Sequence, residues 1–247
     1  NFQTLLRGIT YNNTTDNPTS GARSFTVQVT DAGLHNDGSG GSNLPSNTPV
    51  TTLTVTPAND QPRLSGLDAV SLHENVIQVT PAWLDQDITL TELDSANYNG
   101  GTITISGLVT ADIVSLPASA TASVGNVQLN GSNVEYHDGS NWVVVGTAAG
   151  GSASNFVITL NASATAAIAE RIIDNLTFRN TSNAPTVSRT LTYTVNDGGA
   201  GGVVLGATLG VTIIRDNDTP VMSATTLGGT YTERNATALQ FVGGTIS

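Results

Sequence analysis

The feature that most constrains this chain is that it repeats itself. Leu5–Thr14 (LLRGITYNNT) matches Ile172–Thr181 (IIDNLTFRNT), and Arg23–Asp31 (RSFTVQVTD) matches Arg189–Asp197 (RTLTYTVND). Asn59-Asp60-Gln61-Pro62 returns as Asn217-Asp218-Thr219-Pro220, and Glu74 returns as Glu233. The offset shrinks from 167 residues at Leu5/Ile172 to 158 at Asn59/Asn217, because the Gly/Asn/Ser-rich stretch Leu34–Val50 is longer than its counterpart after Asp197. Ordered matches at a nearly constant offset are the mark of tandem modules. The expected division is therefore residues 1–60 as the C-terminal part of one module, 61–218 as a complete module, and 219–247 as the opening of a third. The stretch is expected to be a piece of a longer array.

Within the repeat the local signal is β-strand. Ser24–Val29, Thr102–Ile105, Thr190–Val195 and Leu209–Ile214 mix β-branched and apolar residues with a period of two. Clusters of Asn, Gly, Asp and Pro separate them, as turns require. Asn130-Gly131-Ser132-Asn133 and His137–Asn141 read as successive hairpin turns, followed by a strand at Trp142–Val145. One segment differs. Ser163–Ile173 is Ala-rich with apolar residues three and four apart, which predicts a short helix capped by Ser163. Many short strands with regular turns predict an all-β chain of tandem Greek-key β-sandwich modules, with one helix in the complete module.

Composition narrows the partners. There are 19 acids against 8 bases, a net charge of −11, and every base is Arg. That balance argues against nucleic acid and against anionic membrane surfaces, both of which select clustered Lys/Arg. No apolar run is long enough to span a bilayer, so direct membrane insertion is not expected. No basic start followed by an apolar core is present, so no signal peptide is expected within the stretch. With no cysteine there is neither a disulfide framework nor a thiolate metal site. A hydrophobic share of 38%, spread through the strand segments, argues for a packed core rather than disorder.

Acids are scarce, so their placement is informative. Asn59 and Asp60 lie in the Pro-bounded linker Pro57–Pro62, and Asp216, Asn217 and Asp218 lie in the matching linker before Pro220. Asp85, Asp87, Glu92 and Asp94 crowd one segment, and Asp31 and Asp197 each end a strand before a Gly-bearing turn. Carboxylates gathered at loop tips repel one another unless a cation sits among them. Ca²⁺ takes six to eight oxygens at irregular geometry and suits ligands drawn from two modules and a linker, whereas Mg²⁺ demands a tighter octahedron. Three dispersed histidines and no cysteine make zinc a poor match. The competing reading of these acids is solvated turn residues that favour Asx-type turns.

The order of these motifs resembles the cadherin repeat. Asp216-Asn217-Asp218-Thr219-Pro220 looks like its acidic linker, Glu74-Asn75 like its first-strand glutamate, Glu92-Leu93-Asp94 like its paired-acid motif, and Val195-Asn196-Asp197 like its late acidic loop. The chain is closer still to the cadherin-like and Ig-like modules of giant type I-secreted (RTX) bacterial surface adhesins, through Ile9–Thr14, Val29–Gly33 and Val55–Asp60. The resemblance implies Ca²⁺ sites shared between neighbouring modules. Glu74 would share a site with Asp216, Asn217 and Asp218. Glu92, Asp94 and Asp197 would face Asn59 and Asp60. Glu233 would repeat Glu74, and Asp31 would face an upstream junction. The departures are Pro57-Ala58 where an acid is usual, Glu92 where Asp is common, and a module lengthened between Val109 and Ile173. The implied function is a calcium-rigidified extender of a secreted cell-surface adhesin acting in cell adhesion and biofilm.

Other features carry less. His35, His73 and His137 read as surface histidines, and Trp83 and Trp142 as packing anchors rather than sugar platforms. No Gly-x-Ser-x-Gly elbow or other set of residues names a reaction, so no enzyme is expected. Two alternatives stand beside the extender. The excursion Asn130–Gly146, with Tyr136 and Trp142, suits a glycan or protein ligand. Incomplete end modules completed by neighbouring subunits suit a filament.

Overall fold

Strand pairing organises almost all of the computed structural model, which describes residues 2–30, 33, 41, 44–199, 206–219, 222–223 and 245–246. The first sixty residues hold helix α1 (Phe2–Arg7) and the antiparallel pair β1 (Gly21–Thr26) and β2 (Val50–Val55). Next come β3 (Arg63–Ser65), β4 (Val70–His73), helix α2 (Glu74–Ile77), β5 (Ala82–Trp83) and β6 (Thr89–Thr91). The middle of the chain forms β7 (Thr102–Ser106), β8 (Asp112–Ser115), β9 (Val127–Asn130), β10 (Asn133–His137), β11 (Trp142–Gly150) and β12 (Phe156–Leu160). Helix α3 (Ala166–Asp174), β13 (Thr177–Asn180), β14 (Ser188–Asn196) and β15 (Ala207–Ile214) complete the unit. Beyond it, Met222–Ser223 pairs with Thr245–Ile246.

The unit from β3 to β15 is an all-β sandwich. Its large sheet has the order β4-β15-β14-β7-β12-β11-β10-β9, and the three-stranded sheet β5-β13-β8 and the pair β3-β6 supply the opposing side. Alternation in the strands decides which residues go inside. Ile103 and Ile105 of β7, Leu191, Tyr193 and Val195 of β14, and Leu209, Val211 and Ile213 of β15 are all buried. They share one core with Val114, Phe178, and Ile172 and Ile173 of α3. Each fully buried aliphatic side chain contributes about 1.5–3 kcal/mol. An ion pair is buried beside them. Arg189 Nε stands 2.8 Å from Asp112 Oδ2, and Asn180 Nδ2 donates to Asp112 Oδ1 at 2.7 Å. Burial pulls the Arg189 pKa down, and the Asp112 charge opposes that pull.

Local chemistry shifted several expected boundaries. The helix begins after Thr165, whose hydroxyl accepts the Ile168 N–H at 3.3 Å, and not after Ser163. Asn161 is the cause: its Oδ1 takes the Ser163 N–H and its carbonyl takes the Ala164 N–H, which holds residues 161–164 in a turn. The strand expected at Ser24–Val29 spans Gly21–Thr26 instead. Its ladder stops at the pair Thr26↔Val50 because Pro49 has no N–H to offer, and the Val29 N–H turns to Ser46 Oγ. The expected turn at Asn130–Asn133 forms, with Gly131 at φ +63° in the first turn position. Trp83 is 44% exposed and is not a packing anchor. His137 is buried rather than superficial, with the edge of Trp142 packed on it at 5.0 Å.

The repeat is visible in the registers. Arg23↔Leu53 and Phe25↔Thr51 in β1–β2 correspond to Arg189↔Val211 and Leu191↔Leu209 in β14–β15. Packing is where the copies differ. Ile172, Ile173, Leu176 and Phe178 are fully buried, whereas their counterparts Leu5, Leu6, Ile9 and Tyr11 are 72%, 41%, 65% and 42% exposed. Ile9, Tyr11, Phe25, Val27 and Leu53 line an open cleft of about 920 Å³ where the second copy has its core. Truncating matched positions should therefore have unequal effects. Leu191→Ala is expected to lower the stability of the sandwich by about 2–5 kcal/mol. Phe25→Ala is expected to cost under about 1 kcal/mol. Urea unfolding of the two variants measures both.

Candidate metal centre

Strand register places the acids. β3 and β6 pair antiparallel with Arg63 opposite Thr91, so the residues just before β3 lie beside those just after β6. That brings Asp60 to Asp94, whose Oδ2 accepts the Asp60 N–H at 3.0 Å. β14 runs antiparallel to β7 with Asn196 opposite Thr102, which delivers Asp197 to the loop leading into β7. Carboxylate oxygens of Glu92, Asp94 and Asp197 consequently lie within 4.8 Å of one another.

The surroundings of the trio are built rather than incidental. Asp197 is 2% exposed; its Oδ2 accepts Asn59 Nδ2 at 2.9 Å and Ser95 Oγ at 3.2 Å, and its Oδ1 accepts the Gly199 N–H at 2.8 Å. Glu92 Oε1 collects the N–H groups of Leu93, Asp94 and Ser95 at 2.9, 3.1 and 3.2 Å, while its Oε2 takes the Tyr98 hydroxyl at 3.2 Å. Burial first, and then the Glu92 charge, push the Tyr98 phenol upward. Gly199 admits Asn59: a Cβ there would lie 2.0 Å from Asn59 Oδ1. One acceptor is unspent. Asp94 Oδ1 is buried and has no hydrogen-bond partner. A carboxylate oxygen in that state, between two other carboxylates and the amide of Asn59, fits a hard cation that binds through oxygen.

The opposite end of the sandwich carries a second group. β4 and β15 pair in parallel with His73 opposite Ile214, so both strands end together. Glu74, 1% exposed at the start of α2, accepts the Asp216 N–H through Oε2 at 3.3 Å. Asp216 in turn bonds His73 Nδ1 at 3.1 Å and the Asn75 N–H at 3.1 Å. The hydrogen bond from His73, followed by that from Asn75, holds the Asp216 carboxyl below its usual range. Asn217 and Asp218 are exposed and do not close around Glu74. β14 and β15 are antiparallel, so the two groups cap opposite ends of the sandwich.

The remaining expected ligands divide as follows. Asp87 joins neither end; it is exposed and touches Asp85, whose hydrogen bond and charge raise its pKa. Asp31 and Glu233 lie outside the described residues. Asn59 reaches the site, but it turns its amide N–H rather than its oxygen toward Asp197. Sequence reading missed Ser95, Tyr98 and Gly199. Ser95 and Gly199 stand next to recognised acids or turns, whereas nothing in the sequence singled out Tyr98. It also missed Asp174, buried on α3, whose pKa is pushed up to about 6 by burial and by Glu170.

With these elements placed, likeness to known proteins can be stated. No known family matches the chain, and no curated protein does. Among solved structures it is similar to one described as a protocadherin gammaB7 EC3-6 cis-dimer, at 15% identity and a TM-score of 0.35, over 84% of this chain and 36% of that chain. The chain thus spans about a third of that solved chain.

Asp174 yields a pH dependence. Its folded pKa of about 6 lies above the ordinary carboxyl value of 3.8. The folded state therefore binds the proton more tightly, and stability present below about pH 4 is lost as pH climbs through about 6. The loss amounts to about 3 kcal/mol. In chelator, Asp174→Asn is expected to unfold at higher urea than the parent at pH 8, and the difference should shrink toward pH 4. A constant difference across that range would show that Asp174 is charged throughout.

Proposed function

We propose that this chain is a calcium-rigidified extender from the tandem modules of a bacterial cell-surface adhesin, secreted and acting outside the cell in adhesion and biofilm. The division at 60/61 and at 218/219 belongs to this reading. So does a role without catalysis. The single observation that carries it is the convergence of Glu92, Asp94 and Asp197 on the linker residues Asn59 and Asp60, with Asp94 Oδ1 buried and unpartnered.

Bound calcium would supply the positive charge that three carboxylates at one module end lack. The chain's own residues do the rest. Glu92, Asp94 and Asp197 are already oriented by eight hydrogen-bond donors, the hydroxyls of Tyr98 and Ser95 among them. Asn59 and Asp60 belong to the preceding segment, so any ligand they share with the trio fixes the angle between segment and module. Rotation of the Asn59 amide by half a turn offers Oδ1 in place of Nδ2. At the other end, Glu74 and Asp216 await the segment after Pro220, and Asp218 is free to turn inward. The partners in this reading are adjacent modules of the same chain.

The filament alternative draws on one specific observation, the uncovered apolar face of α1, β1 and β2. The ligand-binding alternative at Asn130–Gly146 draws less support. Tyr136 and Trp142 are half-buried there, and Trp142 is engaged with His137.

Binding to the folded state alone stabilises by about 2.7 kcal/mol at a hundred times the dissociation constant. Calcium is therefore expected to raise the Tm and straighten the solution scattering profile, and chelation to reverse both. Asp94→Asn should abolish most of the response at this junction. Identical melting and scattering in calcium and in chelator would rule out the rigidified extender.

A further inference from the structure

The small sheet β5-β13-β8 turns one face to the core and the other outward, and alternation assigns its residues. Ala82, Phe178 and Val114 form one row across the three strands and pack inward. The rows on either side lie on the outer face. One runs Trp83, Thr177, Ser115; the other sets Arg179 beside Ile113. Together with Pro81 and Pro117, these residues line a groove of about 600 Å³. That volume is in the range of sites that take small ligands.

The groove's chemistry is specific. Trp83 is 44% exposed and lies outside the core, so a strand holds its indole open to solvent. On the floor, Thr177 Oγ1 donates to the Ser115 carbonyl at 3.1 Å. Ser115 Oγ donates to the Leu116 carbonyl, also at 3.1 Å. Its proton is therefore spent, and its oxygen is left to accept. Arg179 is the complement. Its Nε and Nη2 donate to the Gln78 carbonyl at 3.1 and 2.8 Å, which fixes the guanidinium plane and leaves Nη1 out of both bonds. Its charge meets a carbonyl rather than a carboxylate; among the described residues no acid forms an ion pair with it. Pro81 and Pro117 bring no N–H to the groove.

A ligand that fits has an apolar face for the indole, a hydroxyl to donate to Ser115 and a negative charge for Arg179. We propose that this groove is a glycan subsite for a carboxylated pyranose, whose C–H face lies on Trp83, with one hydroxyl on Ser115 Oγ and the carboxylate on Arg179. Planar guanidinium groups suit carboxylates, and charge-assisted bonds of this kind are the stronger ones. A proline-rich peptide has no main-chain N–H at its prolines, so it leaves the Ser115 oxygen unserved and the Arg179 charge unmatched. An acidic peptide serves Arg179 but offers the indole no flat C–H face. The site uses no residue of either acidic end, so it is independent of the calcium reading.

The test uses the full chain carrying Trp142→Phe, which leaves Trp83 as its one indole. Chelator is present throughout, so that no ion bridges sugar and protein. Tri-galacturonate is titrated against tryptophan fluorescence and by calorimetry. A saturable shift of the Trp83 emission is expected. Trp83→Ala should weaken the calorimetric binding at least about tenfold. Arg179→Gln should weaken it about tenfold and reduce it to the affinity for neutral maltotriose. Trp83 lies outside the core, so Trp83→Ala keeps the proposal open to test should Arg179→Gln not fold. The absence of a saturable emission change would overturn the proposal. So would tri-glutamate binding as tightly as tri-galacturonate, or an affinity that both substitutions leave unchanged.

Discussion

The pairing of β14 with β7 on one side and β15 on the other is the constraint on which the rest of the structure depends. Leu191, Tyr193 and Val195 send their side chains to the core, and a slip of one residue would send all three to the other face. The same register decides where β14 ends, and therefore that Asp197 arrives beside Glu92 and Asp94. Because β15 returns antiparallel and then pairs in parallel with β4, its end reaches Glu74 at the far side of the sandwich. Hydrophobic alternation in the core and acid placement at the ends are thus one decision made by one strand.

That arrangement asks the protein to tolerate like charges at close range. At an effective dielectric constant of about 20, two unit charges about 5 Å apart repel by about 3 kcal/mol. Hydrogen bonds to charged groups return about 1.5–3 kcal/mol each. Glu92 and Asp197 are well supplied, with four and three donors. Asp94 has the Asp60 N–H on one oxygen and nothing on the other. The imbalance falls on the carboxylate that faces the preceding segment, which is where a cross-linking ligand has the greatest leverage over orientation. At the other end Asp216 is already satisfied by His73 and Asn75, so the two ends are chemically unequal.

What could be read in advance was whatever depends on period and order. The strands Thr102–Ile105, Thr190–Val195 and Leu209–Ile214 followed from alternation, and the grouping of Glu92, Asp94 and Asp197 followed from the order of the motifs. The failures share a different physical origin, local competition for hydrogen bonds. Asn161 took the N–H groups of Ser163 and Ala164 and so held Ser163 in a turn ahead of the helix. Pro49 ended the β1 ladder three residues early. Asp87 looked equivalent to Asp94 in sequence, yet the Asp85 turn holds it with a different set of neighbours. Tyr98 and Asp174 were invisible for another reason: the surroundings of each exist only in the tertiary fold. Trp83 and His137 exchanged their expected environments because side-chain type predicts burial only on average.

The connections between copies are too short to act as tethers. Seven residues, 56–62, connect β2 to β3, with Asn59 at their middle. Prolines at 57, 62 and 220 remove further backbone freedom. A segment that short cannot average over orientations as a Gly/Ser linker does. The side chains that meet the first connection are three acids, one of them short of a partner.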